Sequence, residues 1–254
     1  MSSAGVLGAD ARETAGALAL QGKRAMPEQP SRRTTTNRIL SRLSRDDFEL
    51  LAPDLQAIDL PVRKPLEARK RRIDNVYFIE SGFASVVANG SNKPSIEVGI
   101  IGREGMTGLA VVLGGERAQH ETYIQVAGTG LRISAAKLRE ATESSVALHR
   151  AMLRYANVFL MQTTTTALAN GRSKIEERLA RWLLMADDRI DGNALPLTHE
   201  FLGLMLGTYR PGVTKAIQAL EEEGLIAARR GAISILDRKT LEKRSNGTYA
   251  PPEG

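Results

Sequence analysis

The chain has 254 residues, of which 42% are hydrophobic and 25% charged, and a formal net charge of +6. That length suggests two domains, and the absence of cysteine excludes disulfides, cysteine-bound zinc and iron–sulfur clusters. The sequence has neither a signal-peptide pattern nor an apolar run near the roughly 18 residues that a spanning helix needs. A cytoplasmic protein without a membrane partner is therefore expected.

The N-terminal segment is polar and carries most of the basic excess. Because that excess lies within residues 1–72, the net charge is weak support for nucleic-acid binding elsewhere in the chain. Residues 1–36 show no sustained apolar period and predict a disordered tail. A functional tail and a misassigned start of the reading frame both stay open. A short helical pattern follows from Asn37 to Leu55, with Ser44 as a candidate N-cap.

Residues 37–140 contain short apolar runs separated by glycines and charged residues, a pattern typical of strands. The runs between Ile58 and Ile133 are VYFIE, FASVVA, SIEVGII, LAVVL, TYIQVA and LRIS. Their near-regular spacing predicts an antiparallel barrel or jelly roll. The basic run at 69–72 is interpreted as a solvated loop, with contact to an anionic partner as the alternative.

A helical period returns over residues 141–170, which contain neither proline nor glycine. Leu153 and Leu160 lie on a different face from a 4-3-4 series that comprises Leu148, Met152, Tyr155, Phe159, Gln162, Thr166 and Ala169. Two apolar faces need two partners, so one face is expected to cover the barrel. The other is expected to pair with the same helix of a second chain in a parallel homodimer. A helix buried within a single chain is the alternative.

The sequence after this helix predicts a hinge and a second domain over residues 172–241. Asn170 and Gly171 are expected to end the long helix. Ser173 to Glu176 resemble a capping box that begins a helix from Ile175 to Arg189. Residues 242–254 are expected to form a flexible tail.

Residues 197–236 have the pattern of two short helices, a tight turn and a hairpin. Thr198 is a candidate cap for the first helix, and Gly207 stands where a helix end favours a left-handed residue. Pro211 suits the first turn of the second helix, whose apolar stripe is Val213, Ile217 and Leu220. Strands at 225–229 and 232–236 predict a wing with Arg230 at its tip. This order of elements is typical of a winged helix-turn-helix.

The second helix presents polar and basic side chains opposite its apolar stripe. Arginine and lysine donate to guanine O6 and N7, glutamine pairs with adenine, and a threonine methyl meets the thymine methyl. Contacts with double-stranded DNA are therefore predicted for Arg210, Thr214, Lys215 and Gln218. A helix-turn-helix with a purely structural role is the alternative.

Taken together, these segments resemble the Crp/Fnr family of bacterial transcription regulators. The motifs that carry the resemblance are VYFIESG at 76–82, IGREGMTG at 101–108 and the segment from Ile175 through the wing. The resemblance implies an α+β fold with an N-terminal antiparallel jelly roll like a cyclic-nucleotide-binding domain, a long dimerisation helix and a C-terminal winged helix-turn-helix. It also implies a homodimer that binds a palindromic promoter site and contacts RNA polymerase.

Within GTYRPGVTK, the resemblance assigns roles to individual residues. Arg210 and Lys215 fall where the family places base-reading cations, and backbone contacts are implied for Thr208, Tyr209 and Thr214. Pro211 stands where many members carry a glutamate that accepts from cytosine. A proline cannot accept that bond, so the half-site is expected to differ from the best-known family consensus.

The phosphate cassette of the cyclic-nucleotide-binding members is degenerate in this sequence. Gly102, Glu104 and Gly105 resemble its Gly-Glu turn with one inserted arginine, and Arg117 is the candidate phosphate cation. Ala118 and Gln119 replace the hydroxyl residue and the alanine that should follow. A buried phosphate would be poorly neutralised, so no cyclic-nucleotide cofactor is expected.

The effector is therefore predicted to be an unidentified small molecule or absent. Three histidines far apart in sequence, His120, His149 and His199, are interpreted as surface or capping residues, although a haem bound by one of the first two is conceivable. The sequence has no P-loop, GxSxG, HExxH or dinucleotide motif, so no enzymatic activity is expected. A cyclic-nucleotide-responsive regulator and a ligand-binding protein with a vestigial helix-turn-helix are the alternatives.

Overall fold

The structure is a computed structural model that describes residues 31–89, 95–192, 194–229 and 231–252. Most of the predicted tail, residues 1–30, lies outside the described residues. Its last residues are attached to the fold, because Thr35 and Thr36 hydrogen-bond to Glu80. This differs from the disorder predicted as far as residue 36.

Two short helices, α1 (Arg38–Arg42) and α2 (Arg45–Leu51), precede a 3-10 turn at Ala52–Asp54. The Asn37 side chain caps α1 by accepting from the Ile39 and Leu40 amides. It also donates to the carbonyls of Ile79 and Gly105, both at 2.8 Å. The predicted cap of α2 is confirmed, since the Ser44 hydroxyl accepts from the Asp47 amide at 3.0 Å.

Seven strands of the described chain form two antiparallel sheets, which confirms the predicted jelly-roll class. One sheet has the order β1-β7-β3 and the other β2-β6-β4-β5. The strands are β1 (Gln56–Leu60), β2 (Pro65–Glu67), β3 (Asn75–Ile79), β4 (Phe83–Ala88), β5 (Ile96–Ile101), β6 (Glu121–Val126) and β7 (Gly128–Ser134). Residues 37–145, with these sheets at their centre, are called the β-domain below.

One predicted strand is a helix. The run LAVVL forms α3 (Leu109–Val112), and Val111 and Val112 point into the core. Gly108 precedes it with φ +75°, and a Cβ there would lie 2.5 Å from a methyl of Val76. That left-handed residue turns the chain away from the sheet, so the apolar run packs as a helical turn. Strands β1 and β2 were not singled out by the sequence pattern.

The long helical segment is divided at its start and extended at its end. Helix α4 (Ala135–Ser144) is separate from α5 (Val146–Arg172), because Ser145 breaks the first helix and caps the second. Helix α5 continues through Asn170 and Gly171, so the predicted end at residue 170 is wrong. A glycine costs a helix only about 1 kcal/mol relative to alanine, which helix packing can offset.

The N-cap of helix α6 (Ile175–Asp187) lies one residue later in the sequence than predicted. Its N-cap is Lys174, whose backbone amide donates to the Glu177 side chain at 3.0 Å. A lysine side chain has no acceptor, so only this half of a capping box is present and the predicted box at Ser173 is wrong.

The C-terminal domain, residues 175–252, is organised around α6. After β8 (Leu195–Pro196) come α7 (His199–Leu206), α8 (Arg210–Glu222), β9 (Ile226–Arg229), β10 (Ala232–Ile235) and α9 (Arg238–Arg244). The predicted flexible tail from residue 242 instead packs on α6, because the Tyr249 hydroxyl donates to Asp188 at 2.9 Å and Thr248 is buried. Among the described helices, none combines the length and apolar character needed to cross a membrane.

Candidate DNA-binding surface and domain interface

The turn between α7 and α8 is set by local sequence, as predicted. The Thr198 hydroxyl accepts from the Phe201 amide at 3.2 Å and caps α7. Gly207 ends α7 with φ +56°, and a Cβ there would lie 2.6 Å from Ile96 Cδ1. Pro211 occupies the first turn of α8, where its missing N–H costs nothing. These residues fix the direction in which α8 leaves the turn.

Helix α8 has one buried and one exposed face. Val213, Ala216, Ile217 and Leu220 are buried in the C-terminal core. On the opposite side, Arg210, Lys215 and Gln218 are exposed, and Tyr209, the residue before the helix, is 84% exposed. Within the described chain, these cations form no ion pair. The structure thus gathers four of the predicted contact residues on one accessible surface, called the α8 surface below.

The two threonines predicted to contact DNA, Thr208 and Thr214, also make contacts within the protein. The Thr214 hydroxyl donates to the Arg210 carbonyl at 3.1 Å, inside the helix itself. Thr208 is half-buried under Gly212, where a Cβ would lie 2.9 Å from the Thr208 hydroxyl oxygen. Thr214 therefore also stabilises the first turn of α8, and the Thr208 side chain packs close to it.

The predicted wing is present as a hairpin beside α8. Strands β9 and β10 pair in register from Ala232 opposite Arg229 to Ile235 opposite Ile226, and β8 adds a third strand. The sequence pattern missed β8, which is only two residues long. Arg230, predicted at the wing tip, lies outside the described residues.

The glutamates at the end of α8 face their own domain. Glu221 accepts from the Ala228 amide at 2.7 Å, and Glu223 pairs with Arg244 at 3.1 Å. The first contact joins α8 to the wing, and the second joins it to α9. These carboxylates therefore orient the elements around the α8 surface.

The residues predicted as a phosphate cassette make separate contacts. Glu104 accepts from the Gly102 amide and forms an ion pair with Arg189 at 2.7 Å, with both side chains almost fully buried. A Cβ at Gly105 would lie 2.1 Å from the Tyr155 hydroxyl oxygen, so the turn is packed tightly against α5. Arg117 is exposed and donates to the Lys70 carbonyl at 3.0 Å. Glu104 thus joins the two domains, while Arg117 binds the basic loop at residues 69–72.

A second buried carboxylate, Glu97 of β5, also joins the two domains. It accepts from the Trp182 indole N–H of α6 at 2.6 Å, and its other oxygen has no partner among the described residues. Burial raises the pKa of Glu97 to about 8, an effect that the hydrogen bond from Trp182 and the charge of Arg181 only partly offset. No pattern in the sequence indicates this contact.

An apolar cluster surrounds these polar links. The Trp182 ring meets the rings of Phe83 and Phe201 edge-on, with centroid distances of 6.3 and 5.6 Å. Phe83 and Ile100 belong to the β-domain but are buried in the core of the C-terminal domain. Aromatic pairs of this kind stabilise a contact beyond the burial of their apolar area. The cluster therefore packs the β-domain against the C-terminal domain.

A long groove follows α5 on its uncovered side. The barrel-facing residues Leu148, Met152 and Tyr155 are buried, and the Gln162 amide holds both the N–H and the carbonyl of Ile100, at 2.7 and 3.1 Å. On the far side, exposed apolar side chains comprise Leu153, Leu160, Met161 and Leu168. Helix α5 therefore has the two faces predicted from the sequence, one covered and one open.

Comparison with known proteins gives the family of the C-terminal domain. Residues 177–244 match the family model described as a Crp-like helix-turn-helix domain. This range includes α7, the turn, α8 and the wing. No curated protein matches the sequence.

Solved structures extend the likeness to most of the chain. FixK2 from Bradyrhizobium japonicum has a TM-score of 0.65 at 16% identity, covering 74% of this chain and 96% of its own. A regulator of the crp/fnr family from Eubacterium rectale has a TM-score of 0.65 at 18% identity, covering 84% and 99%. CLP of Xanthomonas campestris, described as a c-di-GMP responsive global regulator, has a TM-score of 0.63 at 16% identity, covering 76% and 100%. The chain therefore has the fold of the Crp/Fnr family of transcription regulators, and its residues 177–244 form a Crp-like helix-turn-helix domain.

Proposed function

We propose that this protein is a sequence-specific DNA-binding transcription regulator that acts as a homodimer on a palindromic promoter site in the cytoplasm. The observation that carries the proposal is the α8 surface. Its basic and amide side chains are exposed and form no ion pair within the described chain, on a helix whose other face is buried in the C-terminal core. Contact with RNA polymerase is part of the same proposal and follows from the family fold.

Individual residues on the α8 surface take distinct roles in this proposal. Arg210 and Lys215 donate to guanine in the major groove, and Gln218 pairs with adenine. Tyr209, Thr208 and Thr214 contact the sugar–phosphate backbone near the helix N-terminus, and Arg230 does so from the wing. Pro211 presents no acceptor to cytosine, so the half-site lacks the base pair that a glutamate at this position would select.

Dimerisation is proposed through the open face of α5. Leu153 and Leu160 are seven residues apart, which is the spacing that keeps a seam on one side of paired helices. Leu160 is 59% exposed and Leu168 57% exposed in the single chain, and a second copy would cover both. A two-fold dimer would present two α8 surfaces to two half-sites.

The nature of the effector is open in this proposal, and cyclic nucleotides are not favoured. Glu104 lines a cavity that Arg117 does not border, so the two residues do not form a common site for a ribose and its phosphate. Arg117 is held by the exposed loop at Lys70. No enzymatic activity is proposed.

The first experiment is a genome-wide recovery of DNA bound by the full chain, followed by fluorescence anisotropy on the recovered site. We expect a palindrome whose affinity exceeds that of scrambled DNA by at least about a thousandfold at physiological salt. Equal affinity for recovered and scrambled DNA at every salt concentration would refute sequence-specific binding.

The second experiment tests the dimer with Leu160→Glu and the control Val62→Glu. Both side chains are more than half exposed in the single chain, so neither variant should disturb the fold. We expect sedimentation to show monomers only for Leu160→Glu, because two charges would face each other in the seam. A dimer that survives this change would contradict pairing through α5.

A further inference from the structure

A cavity of about 360 Å³, lined by both charged and apolar side chains, lies between α1, α2 and α5, away from the α8 surface. Its size is at the lower end of the range for small-molecule sites. The charged and hydroxyl-bearing side chains that line it are Arg38, Arg42, Ser44, Asp47, Glu104, Arg154 and Tyr155. This cavity is called the arginine pocket below, and none of the residues of the degenerate cassette except Glu104 borders it.

The arginine pocket has an excess of positive charge. Arg42 and Arg154 are exposed and form no ion pair or hydrogen bond within the described chain, and Arg38 makes only a long contact of 3.5 Å to the Pro252 carbonyl. Asp47 is engaged, since its two oxygens accept from the hydroxyls of Ser44 and Ser145. Three guanidinium groups are therefore left to face the cavity without a carboxylate partner, an arrangement that favours a bound anion.

The inner end of the arginine pocket holds two unsatisfied polar atoms. The Tyr155 hydroxyl and Glu104 Oε2 are buried, and neither has a hydrogen-bond partner among the described residues. Burial, followed by the charge of Glu104, raises the pKa of Tyr155 well above its usual value, so its hydroxyl keeps a proton to donate. Because an unsatisfied buried polar atom is costly, the pair favours binding of a group that carries both an acceptor and a donor.

Glu104 does not prevent an anion from entering. Its Oε1 atom is paired with Arg189 at 2.7 Å, which neutralises the carboxylate from the side of the C-terminal domain. The Oε2 atom is buried and has no partner among the described residues, so it can accept from a ligand hydroxyl or amine that reaches the inner end of the pocket. The pocket therefore combines an anion-binding mouth with an inner end that suits a neutral donor.

We propose that the arginine pocket binds a small hydroxylated organic anion, whose phosphate or carboxylate contacts Arg38, Arg42 and Arg154 and whose polar end reaches Tyr155 and Glu104. The Glu104–Arg189 pair then links occupancy of the pocket to the C-terminal domain. This second step rests on the proposed DNA-binding function, whereas binding itself does not. The adjacent turn strengthens the link, because Arg103 also pairs with Asp191 at 2.7 Å.

Isothermal titration of the full chain with glycerol 3-phosphate and with citrate, at constant ionic strength, tests the binding step. We expect one of the two to bind saturably, one molecule per chain, and which one binds identifies the phosphate or the carboxylate class. Arg42→Ala/Arg154→Ala should weaken binding by at least about 30-fold, since two charge-assisted contacts are lost. Tyr155→Phe should weaken it by about tenfold and leave the melting temperature unchanged or higher.

The matched control is Arg150→Ala, an exposed arginine one turn earlier on α5 that does not border the pocket. Its affinity should stay within about twofold of the wild type, because only the general ionic atmosphere changes. Equal losses in Arg150→Ala and in the double variant would overturn the site, as would the absence of saturable binding for both compounds.

The linkage step has a separate readout in DNA affinity. Saturating ligand should change the affinity of the wild type for its recovered DNA site at least about threefold, and should have no effect on the Arg42→Ala/Arg154→Ala variant. Binding without any change in DNA affinity would overturn the linkage. If the chain binds no specific DNA at all, the proposed function fails while the titration still decides the pocket.

Discussion

The α8 surface and the interface between the two domains use the same charged residue types in opposite ways. At the α8 surface, Arg210 and Lys215 are exposed and have no ion pair within the described chain. At the domain interface, Arg189 and Glu104 are almost fully buried and form an ion pair with each other. Charges kept in water are available to a partner, whereas buried pairs hold structure and are costly to separate.

The two arrangements respond differently to movement and to substitution. A buried ion pair has a defined geometry and leaves an uncompensated charge when one partner moves. An exposed cation stays solvated when it moves, so its movement carries no such cost. Solvent also weakens its electrostatic interaction with any partner charge. Changes at the interface should therefore alter stability and domain placement, while changes at the α8 surface should alter DNA affinity alone.

The largest effect is expected for Arg189→Met. The variant leaves Glu104 buried without its partner, so the free energy of unfolding should fall by about 3–5 kcal/mol in urea denaturation. The double variant Glu104→Gln/Arg189→Met should recover much of this loss. Arg103→Ala, which breaks the neighbouring and partly exposed pair with Asp191, should cost less than about 1 kcal/mol. Similar losses for the two single variants would erase the distinction between buried and exposed pairs.

Glu97→Gln should have the next largest effect, and the effect depends on pH. Because the pKa of Glu97 in the folded protein is raised to about 8, folding favours its protonated form. Its contribution to stability is complete below the unfolded pKa of about 4.3 and is lost as pH rises to about 8. Glutamine stays neutral and still accepts from Trp182. The free energy of unfolding of the variant should therefore exceed that of the wild type by about 2–4 kcal/mol at pH 9 and equal it near pH 4.

Urea unfolding from pH 4 to pH 9 measures this difference. The control is Glu143→Gln, which changes an exposed glutamate of α4. Its free energy of unfolding should depend on pH in the same way as that of the wild type. If Glu97→Gln also ran parallel to the wild type, the carboxylate would be charged in the folded protein, and its contact with Trp182 would need another explanation.

The two regions also differ in how far the sequence could predict them. Thr198, Gly207 and Pro211 act within a few residues of their position, so their capping and turn roles were predicted and are confirmed. The pairs Glu104–Arg189 and Glu97–Trp182 each join residues 85 positions apart. No local period signals such a contact, because it exists only after both domains have folded and packed.

Errors in the predicted elements have the same origin. The run LAVVL is apolar enough for a strand, and only the left-handed Gly108 and its contact with Val76 make it a helical turn. The C-terminal residues were expected to be flexible because they lack an apolar period. Tyr249 nevertheless anchors them, since it contacts both Arg238 and Asp188. Short segments are decided by tertiary contacts that sequence patterns do not contain.

Arg210→Ala tests the exposed side of the comparison. The loss of a bidentate contact with guanine should weaken binding to the recovered site by about 1–3 kcal/mol and relax the preference at one base pair, with no change in the free energy of unfolding. Anisotropy on the site and on its single-base variants measures both quantities. Lys239→Ala, an exposed cation of α9 in the same domain, serves as the control. An equal loss on specific and random DNA would make Arg210 a phosphate contact.

The smallest effect is expected for Arg117→Ala. This side chain is exposed, and its one described hydrogen bond goes to the Lys70 carbonyl, so the free energy of unfolding should change by less than about 0.5 kcal/mol. Thermal-shift measurements with cyclic AMP should show no stabilisation of the wild type or of the variant. A stabilisation of the wild type that disappears in Arg117→Ala would mean that this exposed arginine is a working phosphate ligand. The exposed arginines proposed to bind an effector would then include Arg117 as well as those of the arginine pocket.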